Sequence, residues 1–430
     1  MPRRPPFADA PPAANLQPSN PQGQPVPPGI FTGFDLRAHH PNVQRFVLFA
    51  VLYFSGYALF SLLYNLYLLR LGYQEDFIGW LAGLTPLASG LCAVPVGYYS
   101  DRLGRKPFLV GSVLLMAAAQ LGLCLATDPW ALKSCAVLGG LSLGFVYVNH
   151  VPFLAEFTVP QKRRQVIAIG FSTQIITRTC LSLVGGFLPT LMGRLGGVTL
   201  DQAEPYRWAL LLGCGLTVIS IWPLLGLQSP SRPQQKPPDQ KGSLWSDGAW
   251  KILLVFMGVS AFRGLSYGIT NPFFNVFFEE ALLASTATIG LIFFCSQGIG
   301  LPGAFVAPAL ARRFGVVRTI VWSRLAGMLC LGLLGGAQGL LLGAFIFLLF
   351  WAVENTATPV EMAFANEQIP PHYWARMQSV RVLGFQVPAA LGSFWAGETI
   401  VQAGYGPVFL VGAGALLVSC AILVGRYRRG

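Results

Sequence analysis

Long apolar runs separated by short polar interruptions organise this chain. They fall at 45–69, 77–99, 107–126, 130–157, 165–192, 206–227, 250–277, 286–310, 316–336, 338–364, 376–402 and 405–425. As a helix, each run is long enough to cross roughly 30 Å of hydrocarbon. The pattern predicts twelve membrane-crossing helices. Residues 1–42, rich in Pro, Ala, Gln and Asn, hold no sustained apolar core and are predicted to be a disordered tail. That tail lacks the apolar stretch and small-residue cleavage site of a secretory signal, so the first span is expected to act as an uncleaved insertion signal. The Pro-rich stretch from Gln228 to Asp247 is unfit for helix and divides the chain six spans plus six. The expected units are residues 43–227, a linker at 228–248, and residues 249–430.

Composition agrees, at 53% hydrophobic and 11% charged residues with a mean hydropathy of +0.56, which excludes an ordinary soluble protein. A net charge of +12 raises the question of nucleic acid, but the 29 Lys and Arg residues sort by topology instead. Arg178, Arg263, Arg324 and Arg381 lie within spans; Arg70, Lys133, Arg194 and Arg207 fall on one side, and all the others on the opposite side. Positive loops stay in the cytoplasm, so both termini are expected there, in a plasma or inner membrane. The eight cysteines sit within or at the ends of apolar spans, and no disulfide framework or metal site is indicated.

Between the second and third runs lies a charged turn, Gly97 to Pro107, in which Gly97, Asp101, Arg102, Gly104, Arg105 and Lys106 follow the spacing G-x-x-x-D-R-x-G-R-K. The two halves echo one another at a constant offset of about 210 residues, pairing Tyr57 with Tyr267, Asn65 with Asn275, Gly79 with Gly290, Gly104 with Gly315, and Glu156 with Glu367. The second copy of the turn keeps Arg313 and Gly315 but places Arg312 where Asp101 stands. Turn and duplication together resemble the major facilitator superfamily over residues 45 to 425. The resemblance implies an all-α fold of twelve transmembrane helices in two pseudo-symmetric six-helix bundles around a central cavity. It also implies that the signature turn is a conformational latch. Glu156 with Arg163 and Arg164, and Glu367 with Arg376, are expected to join that latch in an interfacial set around Asp101 that stabilises the outward-open form.

Ionisable groups in hydrocarbon are costly and normally face a partner or a watery cavity. Arg178, Arg263, Glu354 and Glu361 are the central ones, whereas Arg324 and Arg381 are close enough to span ends to snorkel. Glu354 and Glu361 are seven residues apart and share a helix face. By resemblance, spans one, four, seven and ten line the cavity, which would set this acidic stripe and Arg263 against the first half. Two readings of Glu354 stand together: a coupling carboxylate or a permanent structural partner of Arg263. Tyr57 and Asn65 on span one, with Tyr267, Asn271 and Asn275 on span seven, supply rings and amides suited to an amphipathic or ring-bearing solute. His150 is a candidate proton relay or a packed core histidine.

The expected function is transport of a small organic or amphipathic solute by alternating access, proton-linked and preferably outward, by a monomer in the bilayer. Uptake of a sugar or organic acid is the alternative, and a transporter-like solute sensor is the reading from another class. Drug–proton antiporters of the family carry a span-four arginine where this chain has Gly140, and a Gly-Pro ahead of Gly-Gly where it has Leu181-Ser182 before Gly185-Gly186. Antiport is therefore not assumed. No nucleophile–base set, metal-ligand spacing or phosphate loop suggests an enzyme, no cofactor is implied beyond a proton gradient, and no nucleic acid is expected.

Overall fold

A computed structural model describes residues 40–159, 162–227, 249–370 and 374–427. The predicted tail as far as residue 39 and the predicted linker lie outside the described residues. The first half runs α1 (Pro41–Arg70), α2 (Glu75–Leu103), α3 (Arg105–Leu125), α4 (Pro129–Glu156), α5 (Arg163–Gly196), α6 (Glu204–Ile219) and the short α7 (Ile221–Leu225). The second runs α8 (Ala249–Thr270), a 3-10 turn (Asn271–Phe273), α9 (Phe274–Glu280), α10 (Thr286–Phe314), α11 (Val316–Leu334), α12 (Leu340–Glu367), α13 (Trp374–Ala403) and α14 (Tyr405–Tyr427).

Taking α6 with α7 and α8 with α9 as single crossings, ten crossings are long and apolar enough to span a membrane. The 29-residue α10 and 30-residue α13 complete the twelve. Helix ends follow local chemistry. Pro41 and Pro129 occupy first-turn positions where no amide hydrogen is needed, and the side chains of Asp128 and Ser285 accept backbone N–H groups from Ala131 and Thr288.

Gly104 separates α2 from α3 at φ +86°, and Gly315 separates α10 from α11 at φ +90°. Side chains rarely adopt such angles, so duplication kept glycine at both corners even though Asp101 and Arg312 diverged.

The seventh crossing departs from the uninterrupted run predicted at 250–277. Pro272 has no amide hydrogen, and the α-helical ladder gives way to the 3-10 turn there. The sixth crossing breaks likewise at Ser220.

Apolar packing is distributed unevenly between the two membrane faces. On the face away from the 97–107 turn, one cluster joins both halves, drawing Leu63, Tyr67 and Ile78 together with Phe273, Phe277, Phe347 and Phe409. On the turn face each half has its own cluster, Phe46 and Phe153 in one and Phe256 and Ile320 in the other. The halves meet mainly through α2 against α13 and α5 against α10. The space between them is therefore closed at the far face and divides the two cores at the turn face.

Candidate solute cavity and charge network

Between the halves lies a cavity of about 700 Å³. The broken seventh crossing forms part of its closed end. There Asn65 Nδ2 donates to the Pro272 carbonyl at 2.6 Å and to Asn275 Oδ1 at 3.3 Å, while Asn275 Nδ2 donates to the Leu62 carbonyl at 2.9 Å. Further out, Arg70 on α1 pairs with Glu279 on α9, and Tyr405 donates to Glu75 at 2.9 Å. Each of these contacts joins one half to the other.

Arg178, on α5, is the only charged side chain on the wall of this cavity among the described residues. Its guanidinium stands 5.7 Å from the centre of the Tyr57 ring, and no described carboxylate pairs with it. Tyr147 and Tyr267 complete an aromatic surround, with Asn65, Asn271, Asn275 and Gln297 offering amide groups. Such a surface presents one fixed cation, flat apolar faces and several hydrogen-bond donors and acceptors.

Adjoining it is a smaller cavity of about 200 Å³ that contains the second charged station. Arg263 Nε lies 3.0 Å from Glu354 Oε1, and Arg263 Nη2 donates to Thr358 Oγ1 at 2.6 Å. Glu354 Oε2 is buried and has no hydrogen-bond partner among the described residues. Tyr267, Asn271, Trp351, Asn355 and Phe385 belong to both cavity walls.

Glu361 occupies a different environment from the acidic stripe expected of it. It is fully buried, pairing with Arg324 and, at 3.1 Å, with Arg381, and it lines neither cavity. Arg324 also donates to Ser419 at 2.6 Å. Two turns along α12 from Glu354, this side chain enters the second half's own core, where α11 and α13 bring the arginines. Arg324 and Arg381 do not snorkel; they are 1% and 7% exposed. Both are paired with Glu361 inside the core, where a buried guanidinium left without a partner would cost several kcal/mol.

His150 lies in the first half's core, away from both cavity walls. Its ring packs 5.2 Å from that of Phe46 and 5.0 Å from that of Phe171, and its Nδ1 contacts Gln174 Nε2.

The signature turn forms its contacts inside the first half. Arg105 bridges Asp101 at 3.0 Å and Glu156 at 2.5 Å and reaches Asn149 at 3.4 Å, tying α2, α3 and α4 together. Arg102 lies 4.1 Å from the centre of the Tyr98 ring. Lys106 donates to the carbonyls of Leu225 and Leu227, and the Gly97 carbonyl accepts from Ser100 Oγ at 3.3 Å. Arg163 opens α5, and Glu367 is exposed at the end of α12. The side chains of Arg164 and Arg376 lie outside the described residues.

Tyr147 is a cavity residue that the sequence does not single out, in contrast to His150 three residues further on. The signal was present: Ala136, Gly139, Leu143 and Tyr147 recur at helical spacing and form the cavity-facing stripe of α4.

Twelve helical crossings in two halves, with a cavity between them whose largely apolar wall carries Arg178 and several amides, define the architecture of a polytopic solute carrier. The chain belongs to the Major Facilitator Superfamily, whose family model matches residues 46–262 and 256–429. Among curated relatives, the gallate transporter of Pseudomonas putida is 32% identical over 146 residues, 34% of this chain and 29% of that one. The multidrug resistance protein MdtH of Aeromonas salmonicida is 25% identical over 197 residues, 43% and 46% of the two chains. The 3-(3-hydroxy-phenyl)propionate transporter of Escherichia coli is 25% identical over 284 residues, 64% and 66% of the two. Each match thus spans less than two thirds of the relative. The solved nucleoside transporter NupG superposes with a TM-score of 0.71 at 16% identity, covering 90% of this chain and 100% of that one. At that identity the likeness shows the shared fold. Family membership and the shared fold place the chain among proteins of the transporter fold.

Proposed function

We propose that this transporter carries a small ring-bearing organic anion, of the aromatic carboxylate class, together with a proton. The observation behind this reading is Arg178: one cation on the cavity wall, unpaired by any described carboxylate and surrounded by Tyr57, Tyr147 and Tyr267. A carboxylate supplies the missing counter-charge, and a planar ring matches the aromatic faces. Two of the relatives, named for gallate and for 3-(3-hydroxyphenyl)propionate, support the same class.

Glu354 is the proposed proton carrier. Its Oε2 is buried without a partner among the described residues, and it sits beside the solute cavity. Opposite charges in one cavity system favour each other's binding, so an anion and a proton travel together more readily than in exchange. With the 97–107 turn in the cytoplasm, the described form is closed to the outside. In this reading an inward proton gradient drives uptake, the alternative to the efflux expected from the sequence. The two residue clusters around Asp101 and around Glu361 act in this reading as rigid anchors within their own halves.

The test is reconstitution in liposomes with labelled 3-(3-hydroxyphenyl)propionate or gallate. Accumulation driven by an acidic exterior supports symport, and loss of that accumulation in Arg178→Gln supports the anion site. Export driven by the same gradient would establish antiport and favour the reading suggested by MdtH.

A further inference from the structure

Resting on the anion reading above, we infer that Arg263 is a second anion-binding group, withheld from the solute while Glu354 is ionised and released when Glu354 takes a proton. Three features of the structure carry this partner switch.

First, Arg263 stands beside the solute cavity but is engaged elsewhere. Its Nε faces Glu354 Oε1 and its Nη2 donates to Thr358 Oγ1, whose own hydroxyl donates to the Glu354 backbone carbonyl. The smaller cavity that holds this pair shares Tyr267, Trp351 and Phe385 with the cavity of Arg178. A solute bound beside Tyr267 thus lies against the wall behind which Arg263 waits.

Second, the charges within the spans of the second half do not cancel. Arg263, Arg324 and Arg381 face Glu354 and Glu361, an excess of one positive charge. Protonating Glu354 breaks the Arg263 pair and leaves two charges uncompensated in a medium of low dielectric. An arriving carboxylate removes one of them, so proton and anion stabilise each other.

Third, the freed cation can only be Arg263. Arg324 on α11 and Arg381 on α13 are both held by Glu361, deep in the separate core. Around Glu354 stand Arg263 from α8, Thr358 on its own helix, and Arg324 from α11 and Cys420 from α14 within electrostatic reach; Arg381 acts on Arg263 from α13.

The experiment uses the full chain in lipid nanodiscs and measures benzoate affinity from mildly acidic to alkaline pH, where benzoate stays ionised. Wild type is expected to bind about tenfold more tightly at the acidic end, the worth of one charge-assisted hydrogen bond. Glu354→Gln should bind tightly at every pH, like the protonated protein. Arg263→Gln should bind weakly at every pH, like the ionised one, and Arg263→Lys should recover part of the pH response. Ligand-free melting of each variant separates lost folding from lost binding. If Arg263→Gln keeps both tight binding and its pH response, or if folded Glu354→Gln binds weakly, the partner switch is overturned. If instead wild type ignores benzoate, or Arg178→Gln binds it unchanged, the anion reading itself fails.

Discussion

Asn65 and Asn275, equivalent positions in the two halves, touch each other across the closed end of the cavity, amide to amide at 3.3 Å. Each also caps the other half's backbone: Asn65 donates to the Pro272 carbonyl and Asn275 to that of Leu62. The duplicated residue has become its own partner, so closure of this face is written into the internal symmetry.

Asn65→Ala removes two of these hydrogen bonds. At about 1 kcal/mol net for each, the population open at the far face is expected to rise roughly tenfold or more. Labelling of a cysteine at Ser182 from the far side should report it; unchanged labelling would show that the asparagine pair does not hold the closure.

The close helix crossings point the same way. Gly186 and Gly290 bring α5 against α10, and a Cβ built on Gly290 would lie 2.6 Å from the Ser182 carbonyl oxygen and 2.7 Å from the Gly186 Cα. Gly79 and Gly397, their duplicates, bring α2 against α13 with similar closeness. Gly290→Ala should therefore disfavour the closed far face and reduce steady transport several-fold while the protein still folds. Distance measurements between labels on α5 and α10 would register the opening, and an unaltered distance would refute it.

Glu361 and Glu354 should respond in opposite ways to the same change. Glu361→Gln leaves Arg324 and Arg381 buried without a counter-charge and is expected to cost about 3–5 kcal/mol, seen as a large fall in melting temperature and yield. Glu354→Gln removes the proposed proton carrier while sparing that core, and the Arg263 it leaves behind stands on a cavity wall at 16% exposure, so melting should fall much less and pH-driven accumulation should disappear. Equal melting of the two variants would contradict the assignment of one acid to structure and the other to coupling.

Arg105→Gln should loosen α2, α3 and α4 from one another, since one guanidinium serves Asp101, Glu156 and Asn149. Solute affinity should stay within about twofold of wild type, because none of these groups lines the cavity. A large change in affinity, measured by the benzoate titration, would place the turn in direct communication with the solute.

The twelve crossings and the signature turn were legible because membrane helices are apolar over a fixed length, and because Gly104 and Gly315 can only be explained by corners. The Arg263–Glu354 pair was legible too, since charge in hydrocarbon calls for a partner. Glu361 was not: helical period places it on the face of Glu354 but does not say that α11 and α13 cover that face one layer lower. Neither was the break at Asn271, which a proline in an apolar run suggests, though such prolines are tolerated elsewhere in this chain, as Pro86 and Pro359 are. Tyr147 was hidden by a more polar neighbour, His150, which lies three residues further along α4 and packs against Phe46 and Phe171.

The shared core at the far face, set against two separate cores at the other, gives the resting molecule a thermal bias. Opening that face would bring Phe273, Phe277 and Phe409 toward a water-filled vestibule, an apolar exposure whose penalty shrinks on cooling. Cold should therefore loosen the seal at the far face before it loosens either half, and the molecule at low temperature would dwell longer with its cavity open on that face.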